Sequence, residues 1–241
     1  MVACGPPCAR ASCARAVVIG GGRGIGRATA LALARAGYEV VVAARTPSEI
    51  RGVADEVTQL GATGWSFQVD VTDAISVAAM VARLTELGPG LEVLVNSAGA
   101  AVLGTMAETP PAIFERMLSV NLSGVYQTIY QCRELLMRGR GHVINVASRA
   151  GRRPYDNAVA YGTAKAGLVY LTRALAMDLG KVGIRVNAIS PGAVATALRR
   201  EAVPGEDPAT LLAPEEVADC VMDLLRPGMS KMTGTVVDFP W

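Results

Sequence analysis

Short apolar runs alternate along the chain with longer segments of a different period. Ala16 to Ile19, Val40 to Ala43, Trp65 to Val69, Leu91 to Val95, His142 to Val146, Ile184 to Ile189 and Thr235 to Phe239 all have strand length, and most are nearly continuous runs of β-branched residues. Continuous rather than alternating runs predict strands covered on both faces, as in a parallel sheet. Between them, segments such as Arg27 to Ala36 carry apolar positions at helical spacing. Repeated strand-helix-strand units predict right-handed crossovers and an α/β fold, a doubly wound parallel sheet of seven strands with helices on both faces. No linker or shift in composition interrupts residues 15–241, which are read as one domain after an N-terminal arm at residues 1–14. In such a sheet the ligand crevice lies beyond the carboxyl ends of the strands, so the residues following each strand carry most of the information.

Composition removes several function classes. The 241 residues are 51% hydrophobic and 18% charged with net charge +2. That is ample for one large core and too apolar for disorder. No uncharged apolar run is long enough to cross a membrane. The interspersed charges leave no electrostatic footprint for nucleic acid. The single histidine, His142, excludes a multi-histidine metal site and argues against a Ser-His-Asp triad. Cys4, Cys8 and Cys13 crowd the arm, but no second ligand pair follows at zinc spacing, so no metal is expected. Gly5-Pro6-Pro7 and Arg10 break the apolar stretch that a signal peptide needs. Cys132 and Cys220 fall in helical patterns as small core fillers. Without a disulfide framework, the expected compartment is a reducing cytoplasm.

The first strand runs into Gly20-Gly21-Gly22-Arg23-Gly24-Ile25-Gly26, followed by a helix. Glycines there let the backbone turn tightly and approach a pyrophosphate, whose charge meets the helix N-terminus. The second strand ends at Ala44-Arg45-Thr46, with no acid at 43–46 to take a ribose 2′-hydroxyl. Arg45, and Arg23 inside the loop, match a 2′-phosphate instead, so NADP is the expected cofactor.

Tyr161 and Lys165 lie one helical turn apart, on one face. A phenol titrates near pH 10, and a neighbouring cation is expected to bring it towards the working range. Ser148, just beyond the fifth strand, has a hydroxyl suited to orienting a substrate carbonyl.

Together these residues resemble the short-chain dehydrogenase/reductase family, in its 3-oxoacyl-reductase-like branch, over about residues 16–237. Gly20-xxx-Gly24-x-Gly26 is similar to the family's cofactor loop, and Asp70-Val71 to the pair bordering the adenine. Asn96-Ser97-Ala98-Gly99 resembles its Asn-Asn-Ala-Gly element, and Pro191-Gly192-Ala-Val194-Ala-Thr196 the element clasping the nicotinamide end. Asn121, Ser148, Tyr161 and Lys165 match its catalytic tetrad. The resemblance implies a Rossmann fold and NADPH-dependent reduction of a ketone or 3-oxo group to a secondary alcohol, with Tyr161 as general acid. It implies that Lys165 lowers the tyrosine pKa and holds the nicotinamide ribose, that Ser148 binds the carbonyl, and that Asn121 holds a relay water. It also implies a homotetramer, or a dimer. Ser97, Ile19 and the ending Asp238-Phe239-Pro240-Trp241 depart from the family's usual Asn, Thr and Asp-Gly-Gly. Phe239 and Trp241 are read as packing either in a partner subunit or on their own domain.

Residues 197–213, with two prolines and a glycine, have the composition of a mobile lid before a helix starting near Pro214. Leu198, Leu211 and Leu212 are candidates for an apolar pocket. Arg199 and Arg200, with Arg149, Arg152 and Arg153 after the serine, suit an anionic, carrier-tethered or CoA-tethered carbonyl substrate, or simply form a solvated rim. Two other functions compete. A non-catalytic NADP-binding sensor would be expected to lose the tyrosine, and a methyltransferase would have no use for Tyr161 one turn before Lys165.

Overall fold

The computed structural model describes residues 14–239. The expectations for the arm and for Cys4, Cys8, Cys13 and Trp241 fall outside the described residues. Seven strands, β1 (Arg15–Ile19), β2 (Glu39–Ala44), β3 (Gly64–Gln68), β4 (Val93–Asn96), β5 (His142–Val146), β6 (Arg185–Ser190) and β7 (Val236–Asp238), form one sheet in the order β3-β2-β1-β4-β5-β6-β7. Every neighbouring pair is parallel. The helices are α1 (Gly24–Arg35), α2 (Pro47–Gln59), α3 (Ala74–Leu87), α4 (Pro111–Leu118), α5 (Gly124–Gly139), α6 (Val159–Leu179), α7 (Ala197–Ala202) and α8 (Pro214–Leu225).

Side chains leave a strand alternately towards its two faces, and in β1 both faces are apolar. Val17 and Ile19 join a core with Val77, Met80 and Leu84 of α3, Ile129 of α5 and Leu168 of α6. Ala16 and Val18 join a second core with Leu33 of α1, Ile50 and Val53 of α2 and Val221 of α8. Continuous β-branched runs are the sequence mark of this double covering. Chain order reverses between β1 and β4, both central in the sheet, and that switch opens a crevice at their carboxyl ends.

Strand ends shift by a residue or two from the sequence pattern, and two departures go further. Leu91 lies ahead of β4, its N–H donating to the Leu135 carbonyl at 3.0 Å, so a fully buried apolar residue here belongs to a turn. The lid segment carries regular structure of its own. Thr196 caps α7 through its hydroxyl, which accepts the Arg199 N–H at 3.2 Å. Leu212 hydrogen-bonds Ala193 and Ala195 in a short bridge beside Val194. Leu212 therefore packs into the second core and does not face a pocket. Phe239 packs on that same core, within its own chain.

Candidate active site

The glycine turn after β1 is fastened to β2: the Gly20 N–H donates to the Ala43 carbonyl at 2.7 Å. Gly20 has φ +77°, and a Cβ there would meet the Ala98 backbone nitrogen at 2.5 Å. No other residue combines that conformation with that clearance. Helix α1 opens without a side-chain cap and without an acid in its first turn. Its first amides are thus offered to an anion in the crevice.

Beyond this turn lies a cavity of about 230 Å³ lined by Gly20, Arg23, Gly24, Ile25, Arg45, Thr46, Asp70, Val71, Ala98, Gly99 and Thr196. The structure thus gathers most of the residues expected to hold a cofactor. Gly26 lies beneath the loop, against the Gly20 carbonyl, and does not line the wall. Asn96 is not brought to either cavity. It is buried in the sheet, where its Nδ2 donates to Asn145 Oδ1 at 2.9 Å and Asn145 Nδ2 donates to Thr172 Oγ1 at 3.0 Å. This polar line braces β4, β5 and α6, because an amide at the centre of a sheet must find partners there.

The Thr72 hydroxyl and N–H hold the Asp70 carboxyl below its ordinary range, with a smaller contribution from the Arg45 charge. Glu49, in the first turn of α2, also lines this cavity, with its carboxylate beside Gly22. Inspection of positions 43–46 alone misses it, because the helix turn after Pro47 brings it back over the loop.

A second cavity, about 340 Å³, adjoins the first, and Ile25, Ser97, Gly99, Thr196 and Leu198 line both. Asn121, Ser148, Tyr161, Lys165, Pro191, Gly192 and Val194 all line it. Ser148, two residues past β5, is extended and caps the short turn Arg149–Gly151, its Oγ accepting the Ala150 N–H at 3.2 Å. Asn121 sits in a single π-helical turn, Ser119–Ser123, between α4 and α5. Such an inserted turn re-aims one side chain of a helix. Its Nδ2 donates to the Met117 and Ala100 carbonyls at 3.0 and 2.9 Å. A Cβ on Gly99 would come within 3.1 Å of Asn121 Oδ1 and 3.9 Å of Lys165 Nζ, so the missing side chain keeps these two groups within reach of one space.

Tyr161 and Lys165 share one face of α6, as their spacing requires, but their electrostatics differ from the sequence expectation. Lys165 Nζ donates to the Val146 carbonyl at 2.8 Å and stands 5.9 Å from the centre of the Tyr161 ring. Burial lowers its pKa to about 8. Burial also pushes the Tyr161 phenol above its ordinary value, and this outweighs the downward pull of the Ser148 hydroxyl and the Arg199 charge. The lid's Arg199 thus adds a positive charge that acts on the phenol, one that the spacing on α6 does not reveal.

The lid and rim arginines are largely committed. Arg152 makes a bidentate pair with Asp238 at 2.9 Å for each bond. Arg153 Nε donates to the Tyr155 hydroxyl at 2.9 Å. Leu198 reaches the cavity, whereas Leu211 and Arg200 do not line it. Tyr155 and Asp156, which the sequence pattern did not single out, do. Among the described residues no group of acidic, cysteine or histidine side chains is placed to hold a metal ion, and no helix is long and apolar enough to cross a membrane.

A model of the short chain dehydrogenase family matches residues 14–207. The chain belongs to the short-chain dehydrogenase family. It is an oxidoreductase of that family, which binds a nicotinamide cofactor. Galactitol 2-dehydrogenase of Rhizobium johnstonii is 36% identical over 242 residues, covering 93% of this chain and 92% of that protein. Among solved structures, an actinorhodin polyketide ketoreductase variant with NADPH is 29% identical with a TM-score of 0.88, over 95% of this chain and 97% of that one. A 3-ketoacyl-(acyl-carrier-protein) reductase from Brucella melitensis complexed with NADH is 27% identical with a TM-score of 0.83, covering 93% of this chain and 96% of that one. The two solved structures share this chain's fold, one with NADPH and the other complexed with NADH.

Proposed function

We propose that the protein reduces a ketone or 3-oxo group to a secondary alcohol, with NADPH as the hydride donor. The observation that carries this reading is the convergence of Asn121, Ser148, Tyr161 and Lys165 on one cavity that shares walls with the glycine cradle. The cradle suits a dinucleotide: Gly20 keeps the backbone bare, α1 offers uncapped amides, and the two cavities run end to end. A reduced nicotinamide, when bound, supplies the hydride to the carbonyl carbon.

The chain's own residues do the rest. The Ser148 hydroxyl donates to the carbonyl oxygen and orients it. Tyr161 gives its proton to that oxygen as negative charge develops there. A phenol kept protonated by burial is a competent donor, and a positioned acid of this kind contributes on the order of 10²–10⁴ in rate. Lys165, one turn along α6, supplies positive charge beneath the ring and a donor for the ribose. Asn121, with its Nδ2 spent on two carbonyls, has Oδ1 to hold a water towards Lys165. The Pro191-Gly192-Ala-Val194-Ala-Thr196 segment would clasp the nicotinamide end.

Arg45 and Arg23 on the adenosine end support NADPH over NADH, and Glu49 opposes them. Exposed Tyr126 and Tyr130 on α5, and Tyr170 and Met177 on α6, support association of copies through these helices into a tetramer or dimer. The deciding experiment is a panel of ketones with NADPH and with NADH, followed at the nicotinamide absorbance band. Turnover with NADPH, several-fold faster than with NADH, is expected; no oxidation of either cofactor by any ketone would end this reading.

A further inference from the structure

Helix α7 places Arg199 on the wall of the cavity that holds Tyr161 and Ser148. The side chain is fastened along one edge only. Nε donates to Glu206 Oε2 and Nη2 to Glu206 Oε1, each at 2.6 Å. A guanidinium carries five N–H donors, and a single carboxylate takes one edge of the fork. Glu206 takes the Nε edge. The end edge, formed by Nη1 and the second N–H of Nη2, has no hydrogen-bond partner among the described residues. The side chain keeps 31% exposure. The guanidinium is also near enough to the phenol for its charge to act on it.

We propose that Arg199 recognises a carboxylate on the substrate, making the preferred ketone a short oxo acid. This rests on the reductase reading and supplies its substrate class. Charge complementarity favours it. The lining side chains include Arg149, Lys165 and Arg199, against Asp156 as the single lining acid; Glu206, behind the wall, offsets part of the Arg199 charge and leaves the lining net positive. Reach favours it too. An anion beside Arg199 lies in the same cavity, about 340 Å³, as the reacting oxygen. A carrier-tethered thioester has its nearest phosphate a whole pantetheine arm from its carbonyl, and so offers no charge there. Glu206 contributes by holding the guanidinium in one rotamer, so little side-chain entropy is lost when a second carboxylate docks end-on.

The test compares a series of short-chain oxo acids with their methyl esters, in the wild-type chain and in Arg199→Gln. The wild type is expected to favour acid over ester in kcat/KM. That ratio should fall at least tenfold in Arg199→Gln, chiefly through KM. A role confined to lid structure or to the acidity of Tyr161 would depress both substrates together and leave the ratio unchanged, which overturns the proposal. A wild-type ratio near one overturns it as well, whether or not the variant folds. A second arm needs no turnover: calorimetry with a saturated short-chain carboxylate and its methyl ester. Tighter binding of the acid by wild type supports the proposal, and equal binding defeats it. Failure of the reductase reading shows separately, as absence of ketone reduction with every substrate.

Discussion

Tyr161 is the residue on which the chemistry turns, and its setting separates acidity from position. Burial raises the phenol above its ordinary value, which favours the protonated form that the proposed proton donor needs. Tyr161→Phe should lower kcat by about 10²–10⁴, the range for loss of a positioned acid, while nicotinamide fluorescence still reports cofactor binding. Turnover within a few-fold of wild type would take the phenol out of the mechanism. Arg45 belongs to the same scale. It faces the adenosine cavity with Asp70 and Glu49. Arg45→Asp should shift the NADPH/NADH ratio of kcat/KM towards NADH by about tenfold or more, since a guanidinium-phosphate pair is replaced by like charges. An unmoved ratio would assign the cofactor choice elsewhere.

At the scale of elements, the polar groups inside the sheet matter most. Arg15 opens β1 at the end of the sheet away from the cavities, with its side chain nearly buried. Its Nε donates to Glu39 at 2.8 Å and its Nη2 to the Leu87 carbonyl at 2.7 Å, tying β1 to β2 and to the end of α3. Arg15→Leu strands Glu39 and these carbonyls and should cost about 3 kcal/mol, read from urea unfolding. His142 in β5 faces Asn187 in β6 across 2.8 Å, and burial holds its pKa down to about 3 from the ordinary 6.5. The unfolded chain therefore takes up this proton first as pH falls. The stability due to neutral His142 is complete above pH 6.5 and declines below it, by about 1.4 kcal/mol per pH unit. Unfolding at pH 7.5 and pH 5 should show a loss of about 2 kcal/mol from this group. A His142→Asn variant, whatever its own stability, should show a correspondingly shallower pH slope; the same slope in both proteins would exonerate the histidine.

For the whole molecule, the uncovered faces of α5 and α6 are the feature that one chain leaves unfinished. Tyr170 is 76% and Met177 79% exposed, on the side of α6 turned away from the sheet. Exposed apolar side chains grouped on helix faces are what a contact between copies would cover. With the association proposed above, the double variant Tyr130→Glu with Tyr170→Glu should sediment as smaller species than the wild type, with the far-UV spectrum retained. An unchanged mass would show that copies meet elsewhere, or not at all.

What the linear chain carried was whatever is local. Strand runs, helical periods and the glycine turn are set by neighbours a few residues apart, so β1, β5 and the cradle were legible with nearly correct ends. Motif matching likewise picked out Tyr161, Lys165, Ser148 and Asn121 one by one. Contacts between residues remote in the chain were not legible. Nothing local says that Leu91 lies in a turn, that Asn96 faces Asn145 instead of the crevice, or that Glu49 swings back over Gly22. Nor does spacing on α6 reveal that Lys165 spends its ammonium on Val146 while Arg199, from the lid, reaches the phenol. Burial and charge act through space, and the cost of leaving a buried polar group without a partner is settled only once distant segments have packed together.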